Sequence, residues 1–343
     1  MSIGFIVLGV LLFIVTAMDI IQTTFTTNGG GRITGFVSGN VWRVFFLAAR
    51  RNGRATVLEY AGPTILILIL VVWIAGMWLS LLLVLLSDYD SVRDSGTHTP
   101  ADWVEKLYFA GFTLSTLGTG DYVPASDGWR VVTSLSAFAG IAFITTSITY
   151  FVPVLTAVNQ QSKISLYVAS MGKTPQGILC NSWNGKDFSS FFDNASNLAD
   201  MIMQHTLNHR SYPVIHYYHN SREDKSIKRA MVMLDEVLLI ITHAVSDDSC
   251  KDKLKLRMLR TTLDSYINIV KGASSKTSPG NGNAPEPDLC ELKDEGIPLH
   301  HDASDYVSNN EVEEHRKELT ALLESDGWTW QDVYGTGNGA KTK

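Results

Sequence analysis

The stretch Thr116-Leu117-Gly118-Thr119-Gly120-Asp121 determines how this chain of 343 residues is interpreted. One residue separates its two glycines, and glycine adopts left-handed backbone geometry without a steric cost. A backbone that alternates in this way can point successive carbonyl oxygens at one axis, where they replace the water around a cation. The carbonyl and hydroxyl of Thr116 can extend this row of oxygens inward. The stretch therefore predicts a path for dehydrated cations.

Two long apolar segments flank this string. Gly62 to Leu86 contains no charged residue. At ~1.5 Å per residue it reaches roughly 37 Å, which is enough to cross a hydrocarbon core of ~30 Å. Residues 131–158 are also uncharged but carry several serines and threonines. In lipid such hydroxyls face other helices or a water-filled space, and both interpretations remain open for each residue.

A third apolar run, Ile3 to Ile21, is either a signal peptide or a further span. It lacks a basic start and a small-x-small cleavage site, so we expect a retained membrane helix. Basic residues crowd the connection to the next span, which predicts that this connection is cytoplasmic and the N-terminus outside. These residues are Arg32, Arg43, Arg50, Arg51 and Arg54. Residues 33–48 mix aromatic and basic side chains, as an interfacial amphipathic helix does.

The segment Trp103 to Ser115 is apolar enough to enter the membrane but too short to cross it. We predict a re-entrant helix whose C-terminal dipole end favours a cation. The loop before it is net acidic and forms either a cation-concentrating vestibule or simply a solvated loop. Its acidic residues are Asp88, Asp90, Asp94 and Asp102.

Span, re-entrant helix, Thr-x-Gly-x-Gly-Asp and span together resemble the pore module of two-transmembrane potassium channels. The resemblance covers about residues 62–158 and implies a homotetramer, because one chain supplies a quarter of the ring. It also implies that Asp121 lies at the outer mouth. The residues implied to line the selectivity filter are Thr116, Leu117, Gly118, Thr119 and Gly120.

The last span contains the expected gating elements. Gly140 lies where the family has a hinge glycine, and Pro153 removes a backbone hydrogen bond near the inner end. Several residues recur at helical spacing and are candidates to line the pore. They are Ile141, Ile144, Thr145, Ile148, Thr149 and Val152.

The string departs from the family pattern in three places. Leu117 replaces the usual Val or Ile, Thr119 replaces the usual Tyr or Phe, and Phe112 stands where a glutamate is frequent. The resemblance therefore implies cation conduction but leaves the choice between K⁺ and Na⁺ open. A membrane-anchored cytosolic sensor whose pore does not conduct is a further alternative.

The pattern of the C-terminal half predicts amphipathic helices. It shows no alternation of strands and helices. No GxGxxG follows a strand, and no catalytic constellation stands out, so we expect no enzyme and no resident cofactor. The net charge of −6 argues against a nucleic-acid partner. His205 and His209 are spaced to share a helix face, which makes them weak candidates for a metal site against the default of helix-packing histidines.

The sequence thus predicts an all-α membrane protein with a pore-loop module, an extra N-terminal span and a mainly helical cytosolic domain. We expect a tetrameric cation channel of the plasma membrane, with K⁺ as the permeant ion and membrane lipid around it. A C-terminal tail either docks on the body or a neighbouring subunit, or is disordered. The predicted divisions are an N-terminal helix (1–25), a connection (26–60), a pore domain (61–158), a helical cytosolic domain (159–272), a flexible linker (273–289) and a tail with a short helix (290–343).

Overall fold

The computed structural model describes residues 2–246, 252–273, 284–301, 303, 307 and 309–335. The chain forms two compact units. The membrane unit comprises the residues up to Val41 together with Thr64–Leu155, and the polar unit comprises Trp42–Pro63 together with the residues from Thr156 onward. These units divide the chain differently from the sequence-based division, because the connection before the second span and the C-terminal segment both belong to the polar unit.

Three helical stretches are long and apolar enough to cross a membrane, as predicted: Ile3–Phe25, Thr56–Leu86 and Asp127–Met171. The first is helix α1, and α2 (Arg32–Ala48) follows it. The second consists of a 3-10 turn (Thr56–Tyr60) and helix α3 (Ala61–Leu86). The third is helix α5, which runs without a break past the predicted end at Val158.

Helix α1 packs closely against α3 through small residues. A Cβ on Gly76 would lie 2.6 Å from Thr16 Oγ1, and a Cβ on Gly9 would lie 2.7 Å from the Ser80 carbonyl oxygen. Small side chains of this kind let membrane helices approach each other. The Ser2 amide donates to the Ser87 carbonyl at 2.6 Å, so the start of α1 lies beside the end of α3 and the two helices are antiparallel.

The carboxylate of Asp19 is buried in the C-terminal part of α1 and organises the turn into α2. It accepts hydrogen bonds from the Ile33 amide at 2.8 Å, the Thr34 hydroxyl at 2.7 Å and the Trp73 indole at 2.9 Å. An acceptor at this position satisfies amides that the first turn of a helix leaves free. Asp19 therefore joins α1, α2 and α3 in one hydrogen-bond network.

The loop between α3 and α5 contains a short helix and a small sheet. Helix α4 covers Trp103–Leu114, which agrees with the predicted re-entrant segment. Strand β1 (Val92–Asp94) pairs antiparallel with strand β2 (Tyr122–Pro124), with Val92 opposite Pro124. Since β2 directly follows the Thr116–Asp121 string, this pairing fixes the position at which the chain leaves the string.

The polar unit is built around the fully buried helix α8, whereas the sequence predicted an amphipathic helix with one apolar face. Every residue of α8 is buried, including two carboxylates that carry partners. Asp235 accepts from Arg260 at 2.9 Å and lies 2.8 Å from a ring nitrogen of His315. Glu236 accepts from Arg316 at 2.8 Å. The helices of this unit are α6 (Pro175–Ser182), α7 (Ser189–Ser211), α8 (Ile227–Leu239), α9 (Lys253–Ala273), α10 (Cys290–Asp294), α11 (Asn310–Glu324) and α12 (Trp330–Tyr334).

The C-terminal segment docks on the body of the polar unit, which was one of the two outcomes expected from the sequence. Leu319, Leu323, Trp328 and Val333 lie in the same apolar core as α7, α8 and α9. Their burial explains why residues 309–335 do not form a separate tail. Most of the predicted linker (274–283) and residues 336–343 lie outside the described residues.

Candidate ion pathway

Helix α4 begins at a capping box. Asp102 Oδ1 accepts from the Glu105 amide at 2.8 Å, and Glu105 Oε2 accepts from the Asp102 amide at 2.7 Å. This reciprocal pair satisfies two donors at the helix start. The other Glu105 oxygen accepts from the Tyr122 hydroxyl at 2.8 Å, and that bond raises the pKa of Tyr122 to about 12. One carboxylate thus ties the start of α4 to the strand that follows the string.

Lys106 fastens α4 to the end of α3. Its side chain is buried, and its Nζ donates to the carbonyls of Asp88 at 2.7 Å, Tyr89 at 3.0 Å and Leu85 at 3.4 Å. The last carbonyls of a helix have no partner within the helix, and a lysine near them is favourable. The ammonium group therefore joins α4 to the last turn of α3 through Leu85 and to the turn after α3 through Asp88 and Tyr89.

The inward face of α4 is aromatic. Phe109 and Phe112 are buried and meet edge to face at 5.0 Å between ring centroids, and Tyr108 packs on Phe112 at 5.2 Å. Trp78 from α3 donates its indole N–H to the Leu107 carbonyl at 2.9 Å. Phe112 therefore places an apolar ring where the family often has the carboxylate of a glutamate.

The string after α4 alternates between two backbone conformations. φ is +59° at Thr116, +58° at Gly118 and +84° at Gly120, so every second residue is left-handed. The geometry predicted for the two glycines is therefore present, and Thr116 shares it. Left-handed geometry is an outlier for a β-branched residue. The amides of Thr116 and Leu117 donate to the Thr113 and Phe112 carbonyls at 3.1 and 2.9 Å, which anchors the string to the end of α4.

Glycine is required in the string because of its backbone angle and not because of crowding within one chain. A Cβ built on Gly118 or on Gly120 would meet nothing within 4 Å. All residues from Thr116 to Asp121 are exposed in the single chain, and Leu117 keeps 69% of its accessible surface. The exposed string, with the apolar side chain of Leu117, is surface that further copies of the chain can cover.

Asp121 is the last residue of the string. Its carboxylate accepts from the Tyr108 hydroxyl at 3.2 Å, and its backbone carbonyl accepts from the Ser95 amide at 2.8 Å. The side chain therefore stays beside the string, attached to α4 on one side and to the β1 turn on the other.

Asp88, Asp90 and Asp94 in the loop between α3 and α4 each have a hydrogen-bond or ion-pair partner. Asp88 accepts from the Trp129 indole at 3.0 Å, and Asp90 pairs with Arg93. Asp94 accepts from the Gly96 and Thr97 amides, and these bonds lower the pKa of its carboxyl. Their charge still adds to the negative potential around the loop, but each carboxylate also has a structural role.

The candidate pore-lining residues share one exposed face of α5. The opposite face is buried against the rest of the membrane unit through Gly140, Ser147, Tyr150 and Val154. In a single chain the exposed face is available to a central cavity or to neighbouring copies. The residues exposed on it are Ile141, Ile144, Thr145, Ile148, Thr149 and Val152.

The two hinge candidates have different surroundings. Gly140 lies directly under the end of α4, since a Cβ there would be 2.3 Å from the Leu114 carbonyl oxygen. Pro153 lies inside the continuous helix α5. A proline cannot donate to the carbonyl four residues earlier, here that of Thr149. Gly140 is therefore a contact site as well as a hinge candidate, whereas Pro153 weakens the helix itself.

The comparisons with known proteins agree with this geometry. Residues 66–157, which include α4, the string and the adjoining parts of α3 and α5, match the model of a family described as "Ion channel". The chain belongs to the two-transmembrane pore-loop channel family. This family is one of channels and not of enzymes. No solved structure shows detectable similarity to this channel.

A relative extends the similarity beyond the pore module. The "Uncharacterized membrane protein YdjJ" of Bacillus subtilis (strain 168) is 31% identical to this channel over 333 residues. The match covers 96% of this chain and 96% of that protein. The polar unit is therefore part of the shared architecture and not an addition to a common pore.

The histidines of the polar unit form a buried cluster. His205 and His209 lie on one face of α7, with ring centroids 6.3 Å apart, and His216 lies 5.4 Å from His209. Burial lowers the pKa of His205 to about 4 and that of His209 to about 3. Within the described residues, no group of three or more His, Cys, Asp or Glu side chains is arranged to hold a metal ion. Packing of the histidines against Tyr266 matches the default expectation.

Sequence reasoning missed the residues that support the string from behind. The capping box was visible as Asp102-Trp103-Val104-Glu105, the spacing typical of such boxes. Lys106 and Tyr108 gave no comparable signal, because their partners are Asp88, Tyr89 and Asp121, which lie 13 or more residues away along the chain.

Proposed function

We propose that four copies of this chain form a potassium-conducting cation channel in the plasma membrane. The observation that carries the proposal is the alternating backbone of the string, with positive φ at Thr116, Gly118 and Gly120. Carbonyls of alternately left- and right-handed residues can face one axis and replace the hydration shell of an ion. Thr116 to Gly120 are the proposed selectivity filter, with Asp121 at its outer mouth.

The exposure of the string and of α5 supports assembly of several copies, and the proposed number of four comes from the resemblance to potassium channels. One chain provides carbonyls on one side of an axis only, so an ion needs further copies to complete its coordination. The exposed apolar face of α5, with Ile141 and Ile148, and the exposed side chain of Leu117 are surfaces that such copies would cover. Lipid surrounds the remaining apolar surface, including the outer face of α1.

In this proposal gating is a bend of α5 that widens the inner end of the pore. Pro153 lacks the hydrogen-bond donor that would otherwise stabilise that part of the helix. Gly140 permits the Leu114 carbonyl to approach, so bending at Gly140 would also move the end of α4. The N-terminus lies outside and the polar unit in the cytoplasm, as the arginines between α1 and α3 favour.

A channel that does not distinguish K⁺ from Na⁺ is the second candidate, because Thr119 occupies the position of the usual aromatic residue. Purified protein in planar bilayers, with KCl on one side and NaCl on the other, separates the two. A reversal potential displaced toward the K⁺ equilibrium supports the potassium channel, and a reversal near zero supports the second candidate. Absence of current from wild-type protein would contradict both.

A further inference from the structure

His219 lies in the polar unit with both ring nitrogens against hydrogen-bond acceptors. Its Nδ1 is 2.9 Å from Asp326 Oδ2, and its Nε2 is 2.6 Å from the Gly53 carbonyl oxygen. The imidazole side chain has no exposed surface. Water therefore does not substitute for either partner.

This arrangement selects the doubly protonated ring. A backbone carbonyl can only accept, and an ionised carboxylate can only accept. Asp326 is kept ionised by Lys228, whose Nζ lies 3.2 Å from Asp326 Oδ1. Both ring nitrogens must then donate, and only the imidazolium form carries two N–H groups.

The two acceptors belong to distant parts of the chain. Gly53 lies in the loop that joins α2 to the turn before α3, and Asp326 follows α11 near the C-terminus. The same two segments are also joined by the Gly53 amide, which donates to the Gly327 carbonyl at 2.9 Å, and by Arg54, which donates to Asp332 at 2.7 Å. They pass so closely that a Cβ on Gly327, where φ is +78°, would lie 2.5 Å from the Gly53 nitrogen.

The charged groups around His219 come from three other elements. Asp326 lies after α11, Lys228 on α8, and Glu59 in the 3-10 turn before α3. Trp328 stacks on the ring at 5.9 Å and Trp42 lies at 6.3 Å, so aromatic surfaces exclude solvent from its faces. Burial alone would lower the pKa of His219, but Asp326 and the Gly53 carbonyl raise it above its ordinary value.

We propose that His219 is a proton-dependent clamp that holds the Gly53 loop to the C-terminal segment and releases it when the cytosol becomes alkaline. Loss of one proton leaves a ring nitrogen lone pair facing either the Asp326 carboxylate or the Gly53 carbonyl, and that contact becomes repulsive. Because the chain runs from the Gly53 loop through the 3-10 turn (Thr56–Tyr60) into α3, release of the loop frees the segment that precedes the first pore span. The effect on opening rests on the proposed channel function, whereas the clamp itself does not.

The direction with pH follows from the raised pKa of the folded state. The clamp is complete at and below about pH 6.5, the ordinary value for histidine, and is lost as pH rises through the higher value in the folded protein. Since a single proton is involved, the equilibrium between clamped and released loop shifts by at most about tenfold per pH unit.

Hydrogen exchange of the Gly53 amide in the purified full-length channel tests the clamp without requiring conduction. Exchange is followed from pH 6.5 to 9 and corrected for the intrinsic rate. In the wild type we expect protection to fall by up to about tenfold per pH unit above the pKa of His219. His219→Gln should show low protection that lacks this fall. His315→Gln is the matched control, because His315 is also paired with a buried aspartate but does not contact the loop; it should behave like the wild type.

The double variant Lys228→Met with Asp326→Asn gives a second, independent test. An asparagine can donate to Nδ1 while neutral His219 donates from Nε2 to Gly53, so protection should persist to pH 9. Wild-type protection that stays constant from pH 6.5 to 9, or a double variant that loses protection as the wild type does, would overturn the clamp.

In bilayers, the open probability should respond to cytosolic pH between 7 and 9 in the wild type but not in the double variant. If both proteins conduct and their open probabilities respond equally to cytosolic pH, the link between the clamp and gating would be overturned.

Discussion

The carbonyl oxygen of Leu114 lies directly against Gly140, so that a Cβ on Gly140 would be only 2.3 Å away. Leu114 is the last residue of α4, and only Ser115 separates it from the string. The close approach therefore couples the position of the string to the first third of α5. It also gives Gly140 a role that is distinct from that of a flexible hinge.

Gly140→Ala should disrupt conduction, because real Cβ atoms do not approach backbone oxygen that closely and α4 must move. We expect a large loss of single-channel current in bilayers. Combining Gly140→Ala with Ala139→Gly separates the two roles, since the second change restores backbone flexibility but not the space. The double variant should remain defective; recovery of wild-type currents would show that Gly140 acts as a hinge and not as a contact site.

Lys106→Met should destabilise the pore loop. It removes the Lys106 donor from the carbonyls of Asp88 and Tyr89, which follow α3, and a hydrogen bond to a charged group contributes ~1.5–3 kcal/mol. The thermal unfolding midpoint of the detergent-solubilised protein should fall by several degrees. Lys186→Met, which removes an exposed lysine of the polar unit, is the control and should leave the midpoint unchanged. A wild-type midpoint in Lys106→Met would refute the anchoring role.

Asp19→Asn should weaken the junction of α1, α2 and α3. Every group that faces the carboxylate can donate, and an asparagine places its own NH₂ against two or more of these donors. A loss of ~1–3 kcal/mol is expected for the unsatisfied groups. Denaturation in detergent measures it, with Gln22→Ala on the exposed side of α1 as the control. Equal stability of Asp19→Asn and the wild type would exclude the capping role of Asp19.

The buried histidines should make the polar unit sensitive to acid. The pKa values of about 4 for His205 and about 3 for His209 lie below the ordinary 6.5, so the unfolded chain binds more protons in this range. Their contribution to stability is complete above about pH 6.5 and declines as pH falls, by ~2 kcal/mol for each histidine at pH 5. Burial also lowers the pKa of His216, the third histidine of the cluster. Unfolding at pH 7 and pH 5 measures the combined loss, and His209→Gln should reduce it by about a third. Equal stability of the wild type at the two pH values would contradict the prediction.

The sequence was sufficient for the elements with a strong local signal. Uninterrupted apolar runs predicted the three spanning helices, and the two glycines predicted left-handed geometry because no other residue adopts it so easily. The positive φ of Thr116 was not predictable, since threonine disfavours it and only the surrounding hydrogen bonds impose it. Helix α5 continues beyond the predicted end of the span at Val158 into polar sequence, where the apolar signal fades and no longer predicts a helix.

The features that the sequence did not predict depend on contacts between distant segments of the chain. Nothing local to Lys106 indicates burial, since its partners are backbone carbonyls at the end of α3. Trp328 and Leu319 lie in a charged segment for which the sequence predicted either docking or disorder. Only the burial of these residues in the apolar core of the polar unit shows that the segment docks. His219 likewise acquires its role from Gly53 and Asp326, which are more than 100 residues away from it.

Recording from the purified protein in planar bilayers under opposed KCl and NaCl tests the central claim most directly. The wild type should carry cation current that reverses toward the K⁺ equilibrium potential. Gly118→Ala, which cannot hold the positive φ of the string without strain, should carry none, although it still assembles as a folded oligomer by size-exclusion chromatography. Wild-type protein without current, or unchanged current in Gly118→Ala, would contradict the account.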